Sequence, residues 1–302
     1  MELDQLRHFL AVVQWESFSK AAEEIGLSQS ALSRSVLRLE EQIGRQLLDR
    51  QSRKVVPTDA GRILETRARE LVGRIEDVQA ELSDDGQHGT IRIGAIPTIA
   101  PYFLPAYLRT FQNEFPEAKV IVQEETTSQL IRKVHDGEVD VAIAALPIDS
   151  KYLQIEELFE EELQLVVSIH DPLAKKETVR WSDLEQRPFI LMGEAHCLTT
   201  NVVSFCHQKN LFPLSIERTS QLAMLQELVS LEHGVSLIPA MAARLDTNSE
   251  RIYRTINGTK PTRTVVSVTN PYRYQSKLLT SFLEAVRVRE TTSQPTHKRK
   301  KQ

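Results

Sequence analysis

The residues best suited to chemistry are two thiols, Cys197 and Cys206, the only cysteines in 302 residues. They close the stretch Gly193-Glu-Ala-His-Cys-Leu-Thr-Thr-Asn-Val-Val-Ser-Phe-Cys206. Between them, Leu198 to Phe205 reads as a helix with Val202, Val203 and Phe205 available for packing. Nine residues of helix span about 13 Å at a rise of ~1.5 Å each. A disulfide needs Cα atoms within about 4.4–6.8 Å. The two sulfurs therefore cannot bond while the helix is intact, and oxidation would become a change of shape. A plainer reading stands beside this one, because free cysteine packs as a small hydrophobe. The local chemistry favours reactivity. The thiolate is the reactive form, and helix starts and cationic neighbours lower a thiol's pKa. Cys197 is predicted near a helix start with His196 adjacent, a group that can donate a hydrogen bond or a positive charge. Cys206 has His207 beside it, so the layout is that of a redox-sensing pair with a resolving thiol.

Other chemistries fit less well. A cysteine-dependent enzyme would need Cys197 and His196 to face each other, but adjacent side chains point apart, and no third orienting residue is evident. Two cysteines with scattered histidines lack the ligand spacing of a structural zinc site, so no metal and no cofactor is expected. No apolar run reaches the ~18 residues of a membrane span. The acidic start, Met-Glu-Leu-Asp-Gln, is not that of a signal peptide, so a cytoplasmic setting is expected. There thiols are kept reduced and a disulfide would be transient. The net charge of −4 offers no global attraction for nucleic acid, so any DNA contact must come from a local patch.

Such a patch lies near the start. Leu3, Leu6, Phe9, Leu10 and Val13 recur at helical spacing, and Ser19-Lys-Ala-Ala-Glu-Glu-Ile-Gly26 predicts a second helix stopped by glycine. Ser28 offers an N-cap for a third, from Gln29 to Ile43, whose apolar face is Leu32, Val36, Leu39 and Ile43. Gln29, Ser30, Ser33 and Arg34 occupy its exposed first turns, where Gln and Arg can read base edges and Ser holds phosphate. This is a helix-turn-helix pattern, with Arg50 and Arg53 on a following hairpin wing expected to face phosphate. Across 27–56 six bases meet three acids, a local +3. A solvated charged face on a three-helix scaffold remains the alternative.

Residues 58–87 predict a long helix in which Leu64, Ala68, Leu71, Ile75, Val78 and Leu82 follow a heptad seam that needs a second helix to cover it. A second copy of the chain is the expected cover, and a dimer would present two recognition helices to a palindrome. From Thr90 the period changes to alternating strands and helices, a mostly parallel sheet with covering helices. Thr98 and Thr126-Thr127-Ser128 fall after the first two strands, where ligands gather in such sheets, although plain helix capping would also explain them. The expected division is a winged helix over 1–58, a linker helix and hinge over 59–89, a two-lobed region over 90–288 and a disordered basic tail over 289–302. The first lobe is expected at about 90–162 and 267–288, the second at 163–266.

Phe18-Ser-Lys-Ala-Ala, Leu27-Ser-Gln-Ser-Ala-Leu-Ser-Arg, Leu37-Arg-Leu-Glu-Glu-Gln-Ile-Gly and Pro57-Thr-Asp-Ala-Gly61 resemble the winged helix of LysR-type transcriptional regulators. Ser30 stands where that family often has proline. The later half resembles the family's effector-binding region, a two-lobed α/β fold like periplasmic binding proteins. Residues 94–105, Thr126-Thr-Ser-Gln-Leu130 and 191–206 are similar to its OxyR-type, peroxide-sensing branch. The resemblance implies that Cys197 is the peroxide-reacting thiol and Cys206 the resolving one, with His196, Thr98 and Thr127 shaping the pocket. It implies palindromic double-stranded DNA, hydrogen peroxide, further copies of the chain as a dimer or tetramer, and RNA polymerase as partners. Two pocket positions depart from that branch: Thr199 and Asn270 stand where arginines are usual. His170, Arg218, Arg263 and Arg273 are candidates to replace the lost charge. A LysR-type regulator gated by a small organic anion, with structural cysteines, is the competing reading.

Overall fold

Leu6, Phe9 and Val12 can share one buried stripe only if 3–15 is helical, and the computed structural model of the chain builds that helix. It describes residues 1–50, 54–193, 197–209 and 214–293, which divide into two units between Ser83 and Asp84. In the first unit α1 (Leu3–Trp15), α2 (Phe18–Glu24) and α3 (Gln29–Ile43) precede the two-stranded wing β1 (Leu48–Asp49) and β2 (Val56–Pro57), and α4 (Asp59–Ser83) follows. Phe9, Val12, Ala21, Leu32, Val36 and Leu39 form its core. Ser28 caps α3 by accepting from the Ala31 amide at 3.2 Å. Thr58 opens α4, accepting from the Gly61 amide at 3.1 Å and donating to the Gln46 carbonyl at 2.8 Å. Gly61 lies so close to the chain that a Cβ there would stand 2.0 Å from the Leu47 carbonyl oxygen, which excludes any side chain.

The seam expected on α4 splits in two. Ala68 and Val72 are buried and Leu64 is partly buried, all against the core of their own winged helix. Leu64 is thus an intrachain contact rather than a seam residue, because α4 packs along α1 over its first half. Leu71, Ile75, Val78 and Leu82 remain exposed, by 46, 39, 55 and 84%. Replacing Leu71 and Val78 together by Asp is expected to abolish self-association in sedimentation without lowering the thermal stability of the winged helix. Two aliphatic side chains lost from each chain, four across a dimer, cost about 6–12 kcal/mol, at least roughly 10⁴ in dimer Kd.

In the second unit β3 (Gly89–Ala95), α5 (Ala100–Glu114), β4 (Ala118–Glu124), α6 (Thr127–Asp136) and β5 (Val141–Ala145) form the first lobe's parallel core. β6 (Gln154–Ser168) leaves it. β7 (Pro188–Met192), α7 (Cys197–Gln208), β8 (Leu214–Thr219), α8 (Leu222–Ser230), β9 (Ser236–Pro239), α9 (Ala240–Leu245) and β10 (Arg251–Arg254) build the second lobe. β11 (Thr262–Thr269) returns, and α10 (Lys277–Ser293) packs on the first lobe. The main sheet runs β10-β6-β11-β5-β3-β4, with β9 also on β6 and β7-β8 as a separate pair. β6 and β11 are antiparallel and cross between two cores, one around Ile93, Phe103, Ile143 and Phe282, the other around Leu165, Ile190, Leu225 and Ile238. β11 pairs with β6 from Thr262 and with β5 from Val265. α10 continues to Ser293, past the expected start of the tail, and 294–302 lie outside the described residues.

Candidate functional site

α7 carries both cysteines, Cys197 at its first residue and Cys206 near its last. One face of the helix, Leu198, Val202 and Cys206, is sunk in the second lobe's core. Cys197 instead packs against the core of the first lobe, so the reactive end of the helix lies where the lobes meet. Phe205 stacks on Trp181 at 5.3 Å, and the Trp181 indole donates to the Thr259 carbonyl at 3.2 Å, anchoring the far end. Both thiols are free. With the helix intact the Cα atoms stand about 13 Å apart, beyond any disulfide.

Two side chains, one from the first lobe and one from the crossing strands, act on Cys197. Thr126 caps α6 through a capping box with Gln129, which leaves Thr127 beside the sulfur, where its hydroxyl favours the thiolate. That hydroxyl is buried and closes no hydrogen bond with the thiol form. Arg263 is the second. It lies opposite Glu161 in the β11–β6 ladder, and both are almost wholly buried. Its Nε donates to Glu161 Oε2 at 2.9 Å, its Nη1 to Thr98 Oγ1 at 2.8 Å and its Nη2 to the Thr98 carbonyl at 3.0 Å. Glu161 Oε1 accepts from the Met241 amide at 2.7 Å, so every charged atom there has a partner.

Burial dominates the electrostatics of Cys197 and pushes its thiol up from the ordinary 9.0; the Arg263 charge and the Thr127 hydroxyl pull the other way without prevailing. The direction is opposite to the lowering expected at a helix start, because desolvation of the thiolate prevails. Burial lifts Cys206 to about 11. Alkylation of Cys197 by iodoacetamide is therefore expected to rise about tenfold per pH unit from pH 6 to about 9. Mass mapping of the alkylated peptide follows this, and a plateau near pH 7 would contradict it.

The other expected site residues divide clearly. Thr127 lies beside the sulfur, while Thr98 is bonded to Arg263. Thr199 is not a pocket residue: it is buried and its hydroxyl donates back to the Met192 carbonyl at 2.8 Å, tying α7 to the end of β7. Asn270 is corrected too. Its amide donates to the His135 carbonyl at 3.0 Å and accepts from the Tyr272 amide, at the far end of α6 from Thr127. Eight residues of helix put it about 12 Å away. Arg273 lies at that same far end, against Gly137. Of the candidate replacement cations whose side chains are described, Arg263 is the one beside the thiol. The signal for it was a basic residue on an apolar strand facing the acidic run Glu160–Glu162. His196 and the Arg218 side chain lie outside the described residues.

In the first unit Gln29, Ser30 and Arg34 are exposed and Ser33 is partly so, on the opening turns of α3. Arg50 does not offer a free cation to phosphate. It pairs with Glu40 at 2.8 Å and lies 4.9 Å over the Phe18 ring, while Glu40 also accepts from the Leu47 and Leu48 amides. It braces the wing against α3. Arg53 lies outside the described residues.

A cavity of about 720 Å³ opens between α5, β6 and α9, lined by Tyr102, Phe159, Glu160, Glu162, Met241 and Arg244 among others. Its glutamates outnumber its arginine, so it does not suit an organic anion. Among the described residues no group of three His, Cys, Asp or Glu could hold a metal, and no helix is long and apolar enough to cross a membrane.

Comparison with known proteins identifies the family and the fold. Residues 3–62 match the bacterial regulatory helix-turn-helix protein, lysR family, and 84–290 match the LysR substrate binding domain. The chain is 30% identical to the hydrogen peroxide-inducible genes activator of Pectobacterium carotovorum subsp. carotovorum, over 90% of this chain and 91% of that one. A solved OxyR cysteine mutant from Corynebacterium glutamicum matches with a TM-score of 0.65 at 27% identity, covering 96% of this chain and 92% of the other. A full-length OxyR variant from Pseudomonas aeruginosa shares the fold at a TM-score of 0.78, with 23% identity over 96% of this chain and 94% of that one.

Proposed function

We propose, since the chain belongs to the LysR family of DNA-binding transcriptional regulators, that it senses hydrogen peroxide through Cys197 and passes the signal to its helix-turn-helix by a disulfide with Cys206. The observation that carries this reading is the surroundings of Cys197: a thiol at the start of an intact helix, beside a buried threonine hydroxyl without a partner and a buried arginine. Members of this family regulate transcription and are not enzymes, and the chain turns over no substrate of its own.

The chemistry needs two balanced steps. The Cys197 sulfur attacks one peroxide oxygen; the O–O bond breaks, the other oxygen leaves as water with the thiol's proton, and the sulfur becomes a sulfenic acid. The Arg263 charge favours the attacking thiolate, and the Thr127 hydroxyl can donate to the departing oxygen. Cys206 sulfur then displaces the hydroxyl from Cys197 as a second water, and the S–S bond forms. Each disulfide consumes one peroxide and yields two waters. Because the helix holds the sulfurs apart, closure unwinds α7, and the lobes and oligomer contacts rearrange on a palindromic operator through Gln29, Ser30, Ser33 and Arg34. Mild peroxide is expected to remove two protons from the mass of the peptides holding Cys197 and Cys206 and to change the DNA footprint. A footprint that moves only with an organic anion, the thiols remaining free, would favour the competing reading.

A further inference from the structure

Asn201 lies one turn after Cys197 on α7, so both side chains leave the same face of the helix. Its Nδ2 donates to the Leu146 carbonyl at 2.9 Å. Leu146 directly follows β5, packs against the first lobe's core, and is itself held by its amide, which donates to the Thr264 carbonyl at 3.0 Å. A carbonyl oxygen can only accept, so the amide nitrogen must face it. The Oδ1 of the same side chain is buried with no partner. Apart from Cys197 at its start, the helix is otherwise committed to the second lobe through Leu198, Val202 and Cys206, the Thr199–Met192 hydrogen bond and the Phe205–Trp181 stack. Asn201 therefore ties a second-lobe helix to the first lobe.

We propose that Asn201 is a positioning residue for disulfide closure: it clasps the reduced helix to the first lobe and slows the second step without acting in the first. This rests on the peroxide-sensing reading above. Asn201 stands between the two cysteines, so the segment cannot bring Cys206 to Cys197 without giving up helical geometry at Asn201. Its bond to Leu146 must then break. The first step needs no such movement, because peroxide comes to Cys197. A clasp that is broken in one step and untouched in the other sets how much peroxide exposure passes as sulfenic acid and how much becomes disulfide. The unpartnered Oδ1 keeps the clasp weak enough to release, since the buried acceptor gains a water partner when the segment opens.

Full-length reduced protein, with Asn201→Leu and Asn201→Ala beside the parent, is mixed rapidly with peroxide and quenched. Sulfenic acid is trapped with dimedone and the disulfide is followed by mass. Sulfenic acid formation is expected to stay within about twofold of the parent, and closure to quicken by about three- to tenfold, the value of one net hydrogen bond. Re-reduction by dithiothreitol is expected to require more reductant by the same factor. Amide exchange over 198–206 in the untreated variants reads the same clasp independently and is expected to quicken by a similar factor. Closure and exchange no faster than in a parent that does close would overturn the clasp alone. A parent that forms no disulfide would overturn the sensing reading and this inference with it.

Discussion

Replacing Cys197 by serine is expected to abolish both the peroxide-induced disulfide and the peroxide-dependent change in DNA footprint, while DNA binding by the untreated protein persists. The asymmetry between the thiols gives the reason. Cys206 is wholly buried with its thiol lifted to about 11. At pH 7 about one molecule in 10⁴ holds it as thiolate. It cannot substitute as the first site of attack. Once the segment unwinds, its pKa returns toward the ordinary 9.0 and the thiolate fraction rises by roughly two orders of magnitude. Unwinding thus brings the second sulfur within reach and also arms it. Cys206→Ser is expected to give the complementary result, a sulfenic acid at Cys197 that accumulates and dimedone captures. Disulfide-independent footprint changes in Cys197→Ser would place the sensor elsewhere.

Arg263→Leu is expected to carry the second large effect, on stability and reactivity together. It removes one partner of a buried pair and strands the Glu161 carboxylate, which costs about 3–5 kcal/mol. It also withdraws the charge that opposes burial at Cys197. Without that charge the thiolate is less favoured, so oxidation at pH 7 should slow by roughly tenfold, Glu161 already neutralising part of the charge. The double variant Glu161→Gln/Arg263→Leu separates the two roles. It removes the stranded charge and should recover most of the stability in urea unfolding, yet it should react as slowly as the single variant. A double variant that oxidises as fast as the parent would reduce Arg263 to a structural brace.

The difference between what the chain revealed early and late follows the range of the interactions. The winged helix was legible because α1, α2 and α3 each show their buried stripe within a few turns, with Ser28 and Gly26 marking the ends. The incompatibility between α7 and a disulfide was legible for the same reason, since it needs only helical rise and a count of nine. Arg263 could be named only as one of four cations, because its role comes from pairing with Glu161, 102 residues earlier in the chain. Its strand partner was hidden as well. Gln154–Glu162 is acid-rich and does not alternate, and it is a strand because β11 pairs with it. Asn270 was misplaced because a position at a strand end does not reveal which end of a neighbouring helix it meets. A local charge count and a heptad pattern point Arg50 and Leu64 outward. Glu40 and the winged-helix core claim them instead.

The central claim is that oxidation of two sulfurs on one helix dismantles that helix. Hydrogen exchange read by mass spectrometry on reduced and peroxide-treated full-length protein tests it in a single comparison. The account expects the oxidised protein to weigh two protons less across Cys197 and Cys206 and to lose amide protection from 197 to 208, with the strands of both lobes still protected. A linked pair with that helix still protected, or thiols that stay free under peroxide, would contradict it.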